Sequence, residues 1–168
     1  MLGPGSLWLP GYMHTPSCYV FSTGHILVSQ QQHHGTLLDT VNLLKELDMK
    51  VSQDVVEPLA IYLTVQILGL VEFLHSVDIV HADIKPDNFL MRFIPDGSNL
   101  EASPCLQLID FGKSLDLRLL PPNPVFDEVL MESDLLKCVE MREGRPWMHH
   151  IDYFGVAGTD KHREFPQL

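Results

Sequence analysis

Two short stretches concentrate side chains that could do chemistry: HADIKPDNFLM at 81–91 and IDFG at 109–112. The first sets His81, Asp83, Lys85 and Asn88 close together, and the second adds Asp110, Phe111 and Gly112. Phosphoryl transfer asks little of a protein: a carboxylate to orient a hydroxyl and take its proton, a cation on the moving phosphate, and oxygen ligands for magnesium. Asp83 lies where a strand-like run gives way to a loop, a place from which a carboxylate can reach a ligand. Pro86 restricts Lys85 to extended backbone, which suits a lysine directed into a cleft. Asn88 offers a neutral oxygen and Asp110 a charged one, both hard ligands. Phe111 and Gly112 add an apolar anchor and a hinge.

Each fragment alone is weak. Proline-aspartate and aspartate-asparagine pairs are ordinary turn residues, and a lone DFG or HxDxK arises by chance. The joint pattern is specific: HxDxKPxN, then a strand-like LIDFG, the whole preceded by a long apolar helix ending in LHS. Other candidates are better explained without chemistry. The adjacent pairs His33-His34 and His149-His150 cannot easily present both rings to one metal. His25 has no partner at ligand spacing and is assigned to the surface. Nothing around Cys138 signals a lowered thiol pKa. Trp147, after Pro146, reads as a packing anchor, and the acidic residues Asp127, Glu128, Glu132 and Asp134 as a solvated loop.

Several elements must position these residues. Residues 1–17, rich in Gly and Pro, read as an irregular lead-in. CYVFS at 18–22 and HILVS at 25–29 form a predicted hairpin around Thr23-Gly24, and QQQHHG at 30–35 a connector. TLLDTVNLLKEL at 36–47 predicts an amphipathic helix capped by Thr36. Residues 52–77 predict a central, largely buried helix capped by Ser52, with Val55, Leu59, Leu63, Ile67, Leu70 and Leu74 on one face. Pro58 is awkward there and moves the predicted start toward itself. Residues 79–80, 89–93 and 106–110 read as strands, with a turn-rich insertion, IPDGSNLEASP, before the last. From 111 to 135 three prolines predict a long loop without regular structure. A helical turn is predicted within 135–141 and a further helix from 151.

The whole chain sets limits. Its 168 residues suggest one domain or part of one, and 45% hydrophobic with 20% charged composition fits a soluble globular core. A formal charge of −11 argues against a dedicated nucleic-acid surface. Three cysteines far apart fit neither a disulfide framework nor a zinc site, which points to a reducing compartment. The amino terminus lacks the basic cluster of a signal peptide, and the uncharged run from Pro58 to Val71 is too short to span a bilayer.

LHSVDIVHADIKPDNFLM and LIDFG resemble the catalytic loop and metal-binding motif of eukaryotic protein kinases. HGTLLDTVNLLK at 34–45, IDFGKSLDLRLLPPNPVF at 109–126, KCVEM at 137–141 and RPWMHHIDYFGVA at 145–157 are similar to the spindle-checkpoint kinases of the budding-uninhibited-by-benzimidazole family. The resemblance covers most of residues 18–157. It implies an α+β protein-kinase-like fold, chiefly the helical large lobe with the last strands of the small lobe, truncated at both ends. Residues 18–158 would be a partial kinase domain and 159–168 a divergent tail.

By the same resemblance Asp83 is the catalytic base and Lys85 the lysine on the transferred phosphate. Asn88 and Asp110 hold magnesium, and Gln30 and Gln32, in the hinge, contact the ATP adenine through backbone. His81 packs near Phe111, Glu140 closes the activation segment, and Asp152 holds the backbone of the catalytic loop. ATP and Mg2+ are the implied cofactors. Protein substrates, including a histone tail, and checkpoint and kinetochore proteins are the implied partners, with no nucleic acid and no membrane. The implied location is the nucleus and kinetochore, with the cytoplasm as the alternative.

Two departures matter. Ala82 stands where such kinases carry an arginine that receives an activation-loop phosphate, so the segment at 113–137 must be ordered by its own contacts. No G-x-G-x-x-G stretch, strand lysine or helix glutamate of the small lobe occurs, which predicts weak or absent transfer by this chain alone. The alternative reading is a non-catalytic kinase-like interaction module or truncated isoform.

Overall fold

The computed structural model describes residues 11–47, 52–92, 105–122, 124–127 and 137–160. The insertion after Arg92, the end of the acidic loop beyond Asp127 and the carboxy-terminal tail therefore lie outside the described residues, as does the lead-in before Gly11. The architecture is α+β, and among the described residues it has three separate two-stranded antiparallel sheets set around one long helix and shorter ones.

The amino-terminal hairpin pairs β1 (Ser17–Phe21) with β2 (Gly24–Val28), Phe21 opposite Gly24 at the turn. The helix α1 (Leu37–Glu46) begins with a reciprocal cap. Thr36 Oγ1 accepts from the Asp39 amide at 3.1 Å, and Asp39 Oδ2 accepts from the Thr36 amide at 2.7 Å. Gly35 makes this possible at φ +73, since a Cβ there would sit 2.7 Å from Asp39 Oδ2.

The central helix α2 spans Gln53–Ser76, with Ser52 accepting from the Asp54 amide at 3.3 Å. Pro58 does not delay its start. A proline this near the amino terminus removes a single helical hydrogen bond, and burial of the later turns outweighs that loss. Leu63, Ile67, Leu70, Val71 and Leu74 are buried. The helix is nonetheless one-sided rather than enclosed: Val55, Ile61, Val65 and Leu68 are exposed. Periodicity marks these positions as apolar but does not say what lies opposite them. By length and composition α2 could cross a bilayer, yet its buried face packs on the strands and helix described next.

Beyond α2, β3 (Ile79–Val80) pairs with β6 (Leu115–Asp116), and β4 (Phe89–Met91) pairs with β5 (Leu106–Leu108). The segment from Phe111 onward thus contains a strand and two 3₁₀ turns, Phe111–Lys113 and Leu117–Leu119. Two-residue strands carry no readable alternation, which is why composition there predicts only loop. The short helix α3 (Val139–Arg142) and the helix α4 (His150–Asp160) complete the described chain.

Two apolar clusters form. One gathers Leu37, Val41, the buried face of α2, Ile84, Phe89, Leu106, Leu108 and Val156. The other gathers Val80, Ala82, Leu117, Cys138, Met141, Trp147 and Ile151. Tyr12 joins the first: its hydroxyl donates to the Leu70 carbonyl at 2.5 Å, and its backbone bridges to Leu108.

Candidate active site

Residues 81–88 lie at the seam between the two clusters. Ala82 is buried in one and Ile84 in the other. Anchoring these flanking residues in different cores fixes the Asp83 backbone between them. The loop is further held from α4. Asp152, fully buried, accepts from the His81 amide at 2.8 Å and the Ala82 amide at 2.7 Å, one on each carboxylate oxygen. Its Oδ2 also meets His75 Nε2, from the end of α2, at 2.9 Å. Ala82 adopts φ +62, a left-handed conformation costing a non-glycine residue about 1–2 kcal/mol, which the two amide contacts offset. Gly155 lies one turn after Asp152, where a Cβ would meet the Ile84 carbonyl at 2.6 Å. The helix can approach the loop this closely only without a side chain.

His81 ties three segments together. Its Nδ1 accepts from the Asp83 amide at 3.3 Å, so its proton is assigned to Nε2, which donates to the Ile109 carbonyl at 3.0 Å. Burial pushes its pKa down, in keeping with a neutral ring. The ring meets Phe111 edge-on, with centroids 4.9 Å apart.

Asp83 has a side chain only 3% exposed. Its Oδ2 meets Lys85 Nζ at 3.0 Å and Asn88 Nδ2 at 3.3 Å. Its Oδ1 lies 3.2 Å from Lys113 Nζ but receives no directed hydrogen bond among the described residues. Burial alone would raise the Asp83 pKa. Contacts with Lys85 and Lys113 outweigh it and hold the carboxyl below its usual range. The group is therefore a carboxylate at neutral pH, with a lysine ammonium beside each oxygen.

Asn88 and Asp110 reach the same end of the β4–β5 ladder, because the Ile109 amide donates to the Asn88 carbonyl at 2.9 Å. The Asn88 amide nitrogen is committed to the Asp83 carbonyl at 2.8 Å, which leaves its amide oxygen as the end available to a cation. Asp110 is exposed, adopts φ +62 and accepts from the Gly112 amide at 3.3 Å through one oxygen. No three His, Cys, Asp or Glu side chains converge among the described residues. A cation here would rest on two protein oxygens together with phosphate and water, the usual arrangement for magnesium.

The remaining candidates are spread more widely. Gln30 and Gln32 line a cleft of about 350 Å³ with His14, Arg92 and Gln107. Gln107 Oε1 is buried without a hydrogen-bond partner among the described residues, while its Nε2 donates to the Tyr12 carbonyl at 2.7 Å. Glu140 stands on α3, 3.7 Å from Arg145 Nη2, within the second cluster's surroundings. His33 and His34 border the cleft. His149 is not loop polarity: its ring packs on His75 with centroids 4.3 Å apart. Trp147 is buried and stacked on Phe126 at 4.9 Å. Sequence reasoning passed over Lys113 altogether, although a basic residue directly after Asp110-Phe111-Gly112 was a visible signal.

The chain matches the protein kinase domain family over residues 13–131. It is 41% identical to the mouse mitotic checkpoint serine/threonine-protein kinase BUB1 over 147 residues, which is 85% of this chain and 13% of that protein. It is 34% identical to the Saccharomyces cerevisiae spindle assembly checkpoint serine/threonine-protein kinase BUB1 over 162 residues, 90% of this chain and 16% of that one. The crystal structure of the BubR1 kinase domain superposes with a TM-score of 0.80 at 35% identity, covering 96% of this chain and 46% of the other. The chain thus spans a small part of the length of these checkpoint kinases and about half of the solved domain. It belongs to the protein kinase family, in its spindle-checkpoint branch.

Proposed function

We propose that these residues form the catalytic-loop side of a serine/threonine protein kinase that transfers the ATP γ-phosphate to a protein hydroxyl. The carrying observation is the Asp83 carboxylate: buried, ionised, and flanked by Lys85, Asn88 and Lys113. Asp83 would orient a substrate hydroxyl for attack and take its proton. Lys85 neutralises negative charge beside the acceptor. Asn88 and Asp110 would hold Mg2+, which when bound supplies charge neutralisation on phosphate oxygens. His81, Phe111 and Gly112 support the loop that carries Asp110, Asp152 braces the catalytic loop from below, and Glu140 anchors the end of the activation segment. Gln30 and Gln32, lining the cleft with Gln107, would contact adenine through backbone.

The family context supports a role in the mitotic checkpoint at the kinetochore, in the nucleus, on protein substrates such as a histone tail and alongside checkpoint proteins. The 168 residues hold no glycine-rich loop and no strand lysine. These groups position phosphates, so the isolated chain is assigned weak or no turnover. That same feature favours a second reading, a kinase-like module that binds partners without catalysis. Phosphate transfer from Mg-ATP and magnesium-dependent nucleotide binding, each measured on the chain and on Asp83→Asn, separate the readings. Magnesium-dependent binding supports the kinase assignment. Absence of any nucleotide binding supports the module, and robust Asp83-dependent turnover by the isolated chain overturns the assignment of weak activity.

A further inference from the structure

Lys113 closes the 3₁₀ turn that begins at Phe111, and its ammonium lies 3.2 Å from Asp83 Oδ1. The two ends of this ion pair differ sharply in exposure, the lysine side chain at 48% and the aspartate at 3%. A pair between two exposed groups would contribute little. Here one partner is a buried carboxylate whose other oxygen is already engaged by Lys85 and Asn88. Oδ1 would otherwise face its surroundings with neither charge nor donor, at the cost that accompanies an uncompensated buried acceptor. The neighbouring residue adds a second tie, since Ser114 Oγ donates to the His81 carbonyl at 3.2 Å. From there β6 pairs with β3, and the Leu117 amide donates to the Asp78 carbonyl at 2.8 Å. The chain after Gly112 is thus attached to the catalytic loop along successive residues, and Lys113 is the attachment that reaches the base itself.

We propose that Lys113 is a positioning residue for Asp83. It fixes the orientation of the Asp83 carboxylate, and it holds the start of the activation segment against the catalytic loop without a phosphate. This inference rests on the kinase reading for its catalytic half and on the ion pair alone for its structural half. The ammonium lies against a buried Oδ1, so it fixes the carboxylate's orientation while its charge stays alongside.

The test uses Lys113→Met and Lys113→Arg in the full chain, with two readouts. Hydrogen exchange of residues 111–117 without nucleotide requires no activity. The loss of one half-exposed ion pair predicts about fivefold faster exchange in Lys113→Met and exchange within about twofold of wild type in Lys113→Arg. In peptide phosphorylation, kcat should fall about fivefold in Lys113→Met with KM for the peptide within about twofold, and Lys113→Arg should restore kcat. Unchanged exchange in Lys113→Met overturns the tether. Faster exchange with unchanged or raised kcat overturns the positioning of the base. If the wild-type protein shows no turnover, magnesium-dependent nucleotide binding decides the kinase reading, and the exchange measurement alone decides whether Lys113 orders the segment.

Discussion

Replacing Asp152 by Asn changes one atom and should release the catalytic loop. The carboxylate accepts three hydrogen bonds between 2.7 and 2.9 Å, from the amides of His81 and Ala82 and from His75 Nε2. Oδ2 carries two of the three, so an Asn side chain does best with its oxygen there and its NH2 group facing the Ala82 amide. One charge-assisted bond, about 1.5–3 kcal/mol, is then lost, and a buried donor is left facing another donor. The two bonds that remain become neutral and weaken by about 1 kcal/mol each. The combined cost is about 3–5 kcal/mol, and Ala82, at φ +62, gains a further incentive to leave its left-handed conformation. A local opening cheaper by 3 kcal/mol accelerates amide exchange about 150-fold. Exchange measured at His81 and Ala82, alongside urea unfolding, reports this directly. If both amides exchange within about tenfold of wild type, Asp152 is not what holds the loop.

Gly155→Ala should destabilise the protein by about 1–3 kcal/mol, because the new Cβ would lie 2.6 Å from the Ile84 carbonyl and 2.7 Å from the Ile84 Cβ. Gly158→Ala meets nothing within 4 Å and should raise stability by up to about 1 kcal/mol through helix propensity. Equal effects in urea unfolding would refute the close-approach explanation. Burial lowers the pKa of both His149 and His81, so the folded state binds fewer protons than the unfolded one near their ordinary pKa. Stability is therefore complete above about pH 6.5 and falls as pH drops from there toward the folded-state values, before the carboxylates titrate. His149→Gln removes one contributor, and its unfolding free energy should decline less than wild type between pH 7.5 and 5.5; identical declines would exclude His149.

What could be read in advance was local. Thr36, followed three residues later by Asp39, signals a helix start within one turn of chain, and the structure closes that cap as a reciprocal pair. Thr23-Gly24 between two β-prone runs marks a hairpin that needs no distant partner. Asp83, Lys85 and Asn88 converge because six residues cannot spread far, and Asp110 meets Asn88 because β4 and β5 pair in register. What escaped depends on distant segments. Lys113 reaches Asp83 across thirty positions, Tyr12 inserts from a stretch whose composition predicts only an irregular lead-in, and His149 packs on His75 from another element. The exposure of Val55 is of the same kind, since an apolar stripe names a preference and the partner lies elsewhere.

The brace beneath the catalytic loop also carries a consequence for synthesis. Its two amide bonds join positions 71 and 70 residues apart. On a ribosome adding roughly 5–20 residues each second, the loop exists for several seconds before its aspartate has been made. Through that interval Ala82 has no reason to hold a left-handed backbone. The site is therefore finished from its carboxy-terminal side, and a nascent chain stopped short of Asp152 would carry every side chain of the HADIKPDN run without the geometry that makes them a site.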